Sequence, residues 1–175
     1  MRLLLDMMQS VPAFVLGRRM DVLAWNALAE AVNGFSSWPT GRRNVALQTF
    51  LDPAARTFYP QWDTVAAETV AFLQLDAGRH PGDPLLAAMV GELSIASPEF
   101  ARLWERHDVQ AAPMLTKTFR HPVVGEITVD CDSVAITDRD QRLVLYSAPP
   151  GSRSAEALAL LNVLGTESVN ASGTL

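Results

Sequence analysis

Three histidines, one cysteine and 14 arginines and lysines are the side chains with which this sequence could do chemistry. His107 stands seven residues after Phe100 on the helical stripe Phe100, Leu103, Trp104, so its imidazole faces inward with them. There it either satisfies a core hydrogen bond or meets a ligand. His121 precedes Pro122, which keeps it extended between two strands, a position that suits a turn as readily as a binding site. Asp130 and Asp132 share one strand face, but they alternate with Ile127, Val129 and Cys131 and so fall on the polar side. No histidine lies near them in sequence to complete a metal set. Arg102 and Arg106 flank the Phe100 stripe, while Arg18 and Arg19 sit at a turn. A buried acid headgroup would need such a partner, because an unpaired carboxylate in an apolar site is costly. No Gly-x-Ser-x-Gly elbow, phosphate-cradling glycine loop, His-Glu-x-x-His helix or cysteine with a plausible base occurs, so neither a catalytic set nor a metal site is expected.

The elements that must position these residues are legible in the hydrophobic pattern. Ala13-Phe14-Val15-Leu16 and Val22-Leu23-Ala24-Trp25 read as a hairpin around Gly17-Arg18-Arg19, and Asn26 stands where a cap belongs for a helix beginning at Ala27. Asn33 to Asn44 reads as a long ordered loop. Asp52-Pro53, Asp83-Pro84 and Ser97-Pro98 each place a capping side chain before a proline at a first helical position. Helical spacing puts Trp62, Val65, Ala66, Thr69, Phe72 and Leu73 on one face, Leu86, Met89, Val90 and Leu93 on the next, and Phe100, Leu103, Trp104 and His107 on a third. After Met114 the period changes to two, predicting strands at about Leu115 to Arg120, Val124 to Val134 and Arg142 to Ser147. A closing helix from Ser154 to Leu164 follows, then a polar tail over 166–175. Two N-terminal strands and three C-terminal ones separated by a helical block imply an α+β domain over 1–165, with one antiparallel sheet of about five strands and the helices on one face.

At 175 residues the chain suits a single domain that hides roughly 70% of its unfolded surface. Its net charge is −5, and Arg18-Arg19 and Arg42-Arg43 are the only adjacent basic pairs, a poor footprint for a polyanion. Cys131, alone, forms no internal disulfide, which fits a reducing compartment and a small core residue. No stretch approaches the roughly 20 apolar residues of a membrane span, and Leu3-Leu4-Leu5 is cut short by Asp6, so a cytoplasmic location is expected.

Several ordered motifs then carry a resemblance. They are Val11 to Arg19 with Asp21 to Asn26, Leu51-Asp52-Pro53-Ala54-Ala55-Arg56, Tyr59-Pro60-Gln61-Trp62, Gly91-Glu92-Leu93-Ser94, Ser97 to Phe100 with Leu103-Trp104 and His107-Asp108-Val109, and His121 to Glu126. Over about Leu4 to Leu161 the chain resembles the MmyB-like ligand-binding domain, the C-terminal half of bacterial transcription regulators with an Xre-type helix-turn-helix. The resemblance implies a PAS-like sensor whose pocket takes a fatty acid or related amphiphile, without another cofactor. Contact with DNA would then fall to a fused helix-turn-helix, since none precedes Leu3 here. The candidate ligand contacts are Met89, Leu93, Phe100, Arg102, Leu103, Trp104, His107, His121 and Leu145. A dozen buried methylenes at about 0.8 kcal/mol each would supply on the order of 10 kcal/mol before association costs. The alternative is a PAS-like module for protein contact, such as a homodimer, for which the greasy Leu3, Leu4, Leu5, Met7 and Met8 speak.

Overall fold

A computed structural model describes residues 2–106, 116–136 and 140–172. Continuous apolar runs make the middle of the sheet. Strand β1 (Ala13–Leu16) is buried along its whole length, as a strand covered on both faces must be. It pairs antiparallel with β2 (Val22–Trp25) on one side and β5 (Gln141–Ser147) on the other. Strands β4 (Gly125–Ile136) and β3 (Thr116–His121) complete a five-stranded antiparallel sheet of order β2-β1-β5-β4-β3. This is the expected PAS-like α+β architecture.

On the inner face Phe14, Leu16, Val144, Tyr146, Phe119, Ile127 and Val129 form the main core with α2 (Ala27–Asn33) and α8 (Arg153–Ser172). On the outer face Ala13, Val15 and Leu143 receive Leu5 of α1 (Arg2–Met7), a side chain with no exposed surface. The greasy N-terminal helix therefore packs on its own sheet. Between β2 and β3 lie α3 (Val45–Leu51), α4 (Ala55–Phe58), α5 (Trp62–Arg79), α6 (Pro84–Ala96) and α7 (Pro98–Arg106).

The expected caps at Asp83 and Ser97 are present: Leu85 and Leu86 N–H donate to Asp83 Oδ1, and Phe100 N–H to Ser97 Oγ. Asp83 also accepts from Arg18 and Arg19 at 2.9 and 3.0 Å, tying the β1–β2 turn to α6. Asp52-Pro53, by contrast, ends α3 and opens only the short α4, with Asp52 accepting from Ala54 N–H. The loop expected to end at Asn44 stops there because Asn44 caps an unforeseen α3, accepting from Ala46 and Leu47 N–H. The closing helix runs past its expected end at Leu164 to Ser172. Gly165 inside a helix costs about 1 kcal/mol, and nothing after it is a proline, so one glycine does not stop the run.

Asn26, expected as a cap, does that and more. Its Oδ1 accepts from Ala29 N–H (2.9 Å) and Ala13 N–H (3.1 Å), while Nδ2 donates to the carbonyls of Met8 (2.6 Å) and Val11 (2.7 Å). Each such bond is worth about 1 kcal/mol net, and a buried group left unpaired costs more. Asn26→Ala should therefore lower stability by about 3 kcal/mol or more, measured as a reduced urea midpoint at unchanged m. Asn26→Asp, which sets a carboxylate oxygen against the carbonyls of Met8 and Val11, should be no more stable than the alanine variant at neutral pH; a loss under about 1 kcal/mol for the alanine variant would contradict this role.

Candidate functional site

Helix α5 is buried on two sides. Val70 and Leu73 point into a second core with α3, α6 and α7, whereas Val65, Glu68, Thr69 and Phe72 face the sheet. Between those residues and Phe14, Leu16, Val144 and Tyr146 lies a slot of about 60 Å³, closed at its sides by Phe35, Trp38 and Tyr59. Its aromatic walls interlock: Phe14 sits 5.2 Å from Phe35 and 5.3 Å from Tyr146, and Phe119 is 5.2 Å from Tyr146. At about 10–15 Å³ for each water-sized group, the slot has room for roughly four to six chain atoms.

The slot also contains charge. Lys117 Nζ lies 3.6 Å from a carboxylate oxygen of buried Glu68, so that cation is matched. Burial pushes the phenols of Tyr59 and Tyr146 and the thiol of Cys131 above their ordinary values, which keeps all three protonated and neutral near pH 7. At the other end, Phe72, Ser133 and Arg142 belong both to the slot and to an adjoining hollow of about 310 Å³ that carries Arg18, Asp76, Arg79, His80 and Asp140. Arg142 is half-buried with its guanidinium 4.5 Å from the centre of the Phe72 ring. Burial, with neighbouring Arg79, lowers its pKa from the ordinary arginine value, and Asp76 opposes that shift. Among the described residues its side chain has no hydrogen-bond or ion-pair partner, so a planar fork of donors stands at the seam between an apolar slot and a polar mouth.

The family described as MmyB-like transcription regulator ligand binding domain matches residues 1–161. The chain belongs to that family. A search among curated proteins finds no match. This ligand-binding domain is thus part of the transcription-regulator machinery, and among its described residues no helix is long and apolar enough to cross a membrane.

Of the residues expected to line a site, the described ones do not line this slot. Met89, Leu93, Phe100, Leu103 and Trp104 do face inward, but onto the far side of α5, in the second core with Val70, Leu73 and Leu86. An apolar stripe records that a helix face is covered and not what covers it. Arg102 is exposed on α7, and His107 lies outside the described residues. Leu145 is on the outer face beside Leu5 and Val15, because the pairing Ala13↔Leu145 and Phe14↔Val144 turns Val144 inward. Within a run of four apolar residues nothing in sequence marks which two face the helices. Asp130 and Asp132 are exposed as expected, Asp130 accepting from Thr116 Oγ1.

The seam residues carry a signal in the sequence. Arg142 stands two and four positions before Val144 and Tyr146, so it shares their inner face, and Phe72, Asp76 and His80 follow one another at single helical turns.

His121 is a structural joint. Its Nε2 is 2.9 Å from the Ala31 carbonyl, and Nδ1 accepts from the N–H groups of Val123 and Val124 at 3.2 and 3.4 Å. A carbonyl can only accept, so the neutral Nε2–H tautomer is the one these partners select. Burial lowers the imidazole pKa, the Ala31 hydrogen bond opposing. The unfolded chain takes up this proton near pH 6.5 and the native protein only at lower pH. The His121 contribution is therefore complete above about pH 6.5 and declines as pH falls below it. Urea midpoints at pH 7.5, 6.5 and 5.5 should show this decline in the wild type and a weaker one in His121→Gln; equal slopes would refute it.

Proposed function

We propose that this chain is the sensing domain of a bacterial transcription regulator and holds a fatty-acid-like amphiphile, its tail in the slot and its acid group on Arg142. The observation that supports this reading is the Arg142 guanidinium, without a hydrogen-bond or ion-pair partner among the described residues, at the point where apolar walls give way to a polar mouth. Lys117, the other cation of the slot, already has Glu68. The slot's volume favours a shorter tail than the dozen methylenes of the fatty acid that the resemblance implies: about five carbons inside, hence an acid of six to eight carbons overall. Five methylenes contribute about 4 kcal/mol, and charge-assisted hydrogen bonds to Arg142 about 1.5–3 kcal/mol each. After association costs, a Kd on the order of 100 μM is the expectation.

In this reading occupancy reaches a DNA-binding module through β1. Phe14 and Leu16 touch the slot from the inner face, and Ala13 and Val15 on the same strand touch Leu5 of α1 from the other. A ligand that prefers one placement of β1 would bias α1, and only such a difference in affinity can shift the equilibrium. A second reading, protein contact by dimerisation, draws on Leu3 and Met7 of α1, each 75% exposed.

Isothermal titration of the purified chain with octanoate should give saturable binding, and Arg142→Ala should weaken it at least tenfold. Native mass spectrometry showing only the apo mass, together with no thermal shift from C6 to C18 acids at millimolar concentration, would end the sensing proposal. A dimer by light scattering under those conditions would favour the second reading.

A further inference from the structure

The slot has a second end. It shares Phe72, Ser133 and Arg142 with the polar hollow, and it shares Asn33, Trp38 and Tyr59 with a separate groove of about 200 Å³. Hollow and groove have no lining residue in common, so they adjoin different parts of the slot. No arginine or lysine is among the residues that line the groove, whereas Asp52 is, and its carboxylate would repel an acid group. The head therefore belongs at Arg142, and the tail points at Trp38 and Tyr59.

Both of these side chains are held in place. Each precedes a proline, Pro39 or Pro60, which keeps the backbone extended, with ψ of 145° at Trp38 and 102° at Tyr59. The Trp38 indole lies edge-on to the buried Phe35 ring at 5.0 Å, and the Tyr59 ring lies 4.9 Å from Phe58 and 5.7 Å from Phe119, which has no exposed surface. A ring seated on such neighbours cannot turn aside without giving up its contacts with them. Asn33, the third shared residue, is tied back by Nδ2 to the Ala29 carbonyl at 3.0 Å. Beyond the two rings the groove presents Ala54, Ala55 and Phe58. At about 10–15 Å³ for each water-sized group it has room for roughly 13 to 20 chain atoms, several times what the slot holds.

We propose that Trp38 and Tyr59 are the chain-length stop of this domain, and that the groove behind them is the space a longer tail enters once the stop is removed. This rests on the slot reading above and adds to it the residues that set which acids bind. With the stop in place an acid gains about fourfold in affinity for each methylene buried, up to about eight carbons, and gains nothing beyond.

The test measures the ratio of the octanoate Kd to the dodecanoate Kd by isothermal titration against the full chain. The wild type should give a ratio under about three, and Trp38→Ala a ratio of about ten or more. Tyr59→Leu opens the same wall from its other side and serves if the alanine variant does not fold. Adding Ala54→Trp, at an exposed position that lines the groove and not the slot, should return the opened variant to a ratio under about three. A wild-type ratio above that value would overturn the stop, as would a ratio below it in the opened variants while octanoate still binds. An opened variant whose ratio is unmoved by Ala54→Trp would overturn the groove as the space gained. Failure of every acid to bind the wild type would overturn the slot reading and the stop together.

Discussion

Everything in this domain is referred to one buried amide. Asn26 ends β2, caps α2, holds the first peptide of β1 and grips the α1–β1 connection at two carbonyls, using both donors and accepting twice. Strand side chains alternate, so a slip of β1 by one residue would exchange its two faces. Ala13 and Val15 would then replace Phe14 and Leu16 at the slot, and two large side chains would be forced under α1. The bond from Ala13 N–H to Asn26 forbids that slip at the first residue of the strand. The aromatic wall of the slot therefore depends on a residue that does not touch it.

The second constraint is the two-sided burial of α5. A helix with a single apolar stripe would leave its other side to solvent. Here Val70 and Leu73 are held by α3, α6 and α7 while Val65, Thr69 and Phe72 close on the sheet. This division builds two cores of different kind. The outer one, around Phe100 and Leu93, is filled by apolar and aromatic side chains. The inner one admits Glu68, Lys117, Cys131 and two tyrosines, a polar content that an ordinary core would not retain without use. Helices α6 and α7 serve this arrangement from a distance, because they hold the back of the helix whose front lines the slot.

Much of this architecture was legible in the residues. Period-two alternation in Ile127, Val129 and Cys131, the four-residue apolar run of β1, and the caps at Asn26, Asp83 and Ser97 are local signals, and local signals survive folding. The slot and its lining were not legible in the same way, for two physical reasons. Amphipathic stripes say that a face is covered without saying by what, so the strong stripe through Phe100 and Trp104 drew attention to the filled core. The register of β1 against β5 is a long-range fact, and it alone separates Val144, which lines the slot, from Leu145, which does not. Arg142 was the one informative oddity, a charge in phase with Val144 and Tyr146, and its meaning needed Phe72 opposite to be apparent.

Selectivity in such a site cannot come from one methylene of the tail. Each methylene is worth about 0.8 kcal/mol, so adding or removing one changes affinity about fourfold, and a slot bounded by side chains can yield by that much. A polar group fixed in a dry wall discriminates more strongly, because the wrong ligand leaves it unpaired after its hydration has been displaced. The slot holds a matched pair, Lys117 with Glu68, whereas Arg142 at the mouth has no hydrogen-bond or ion-pair partner among the described residues. On the reading proposed above, Arg142 reads the headgroup and the small volume of the slot limits the tail.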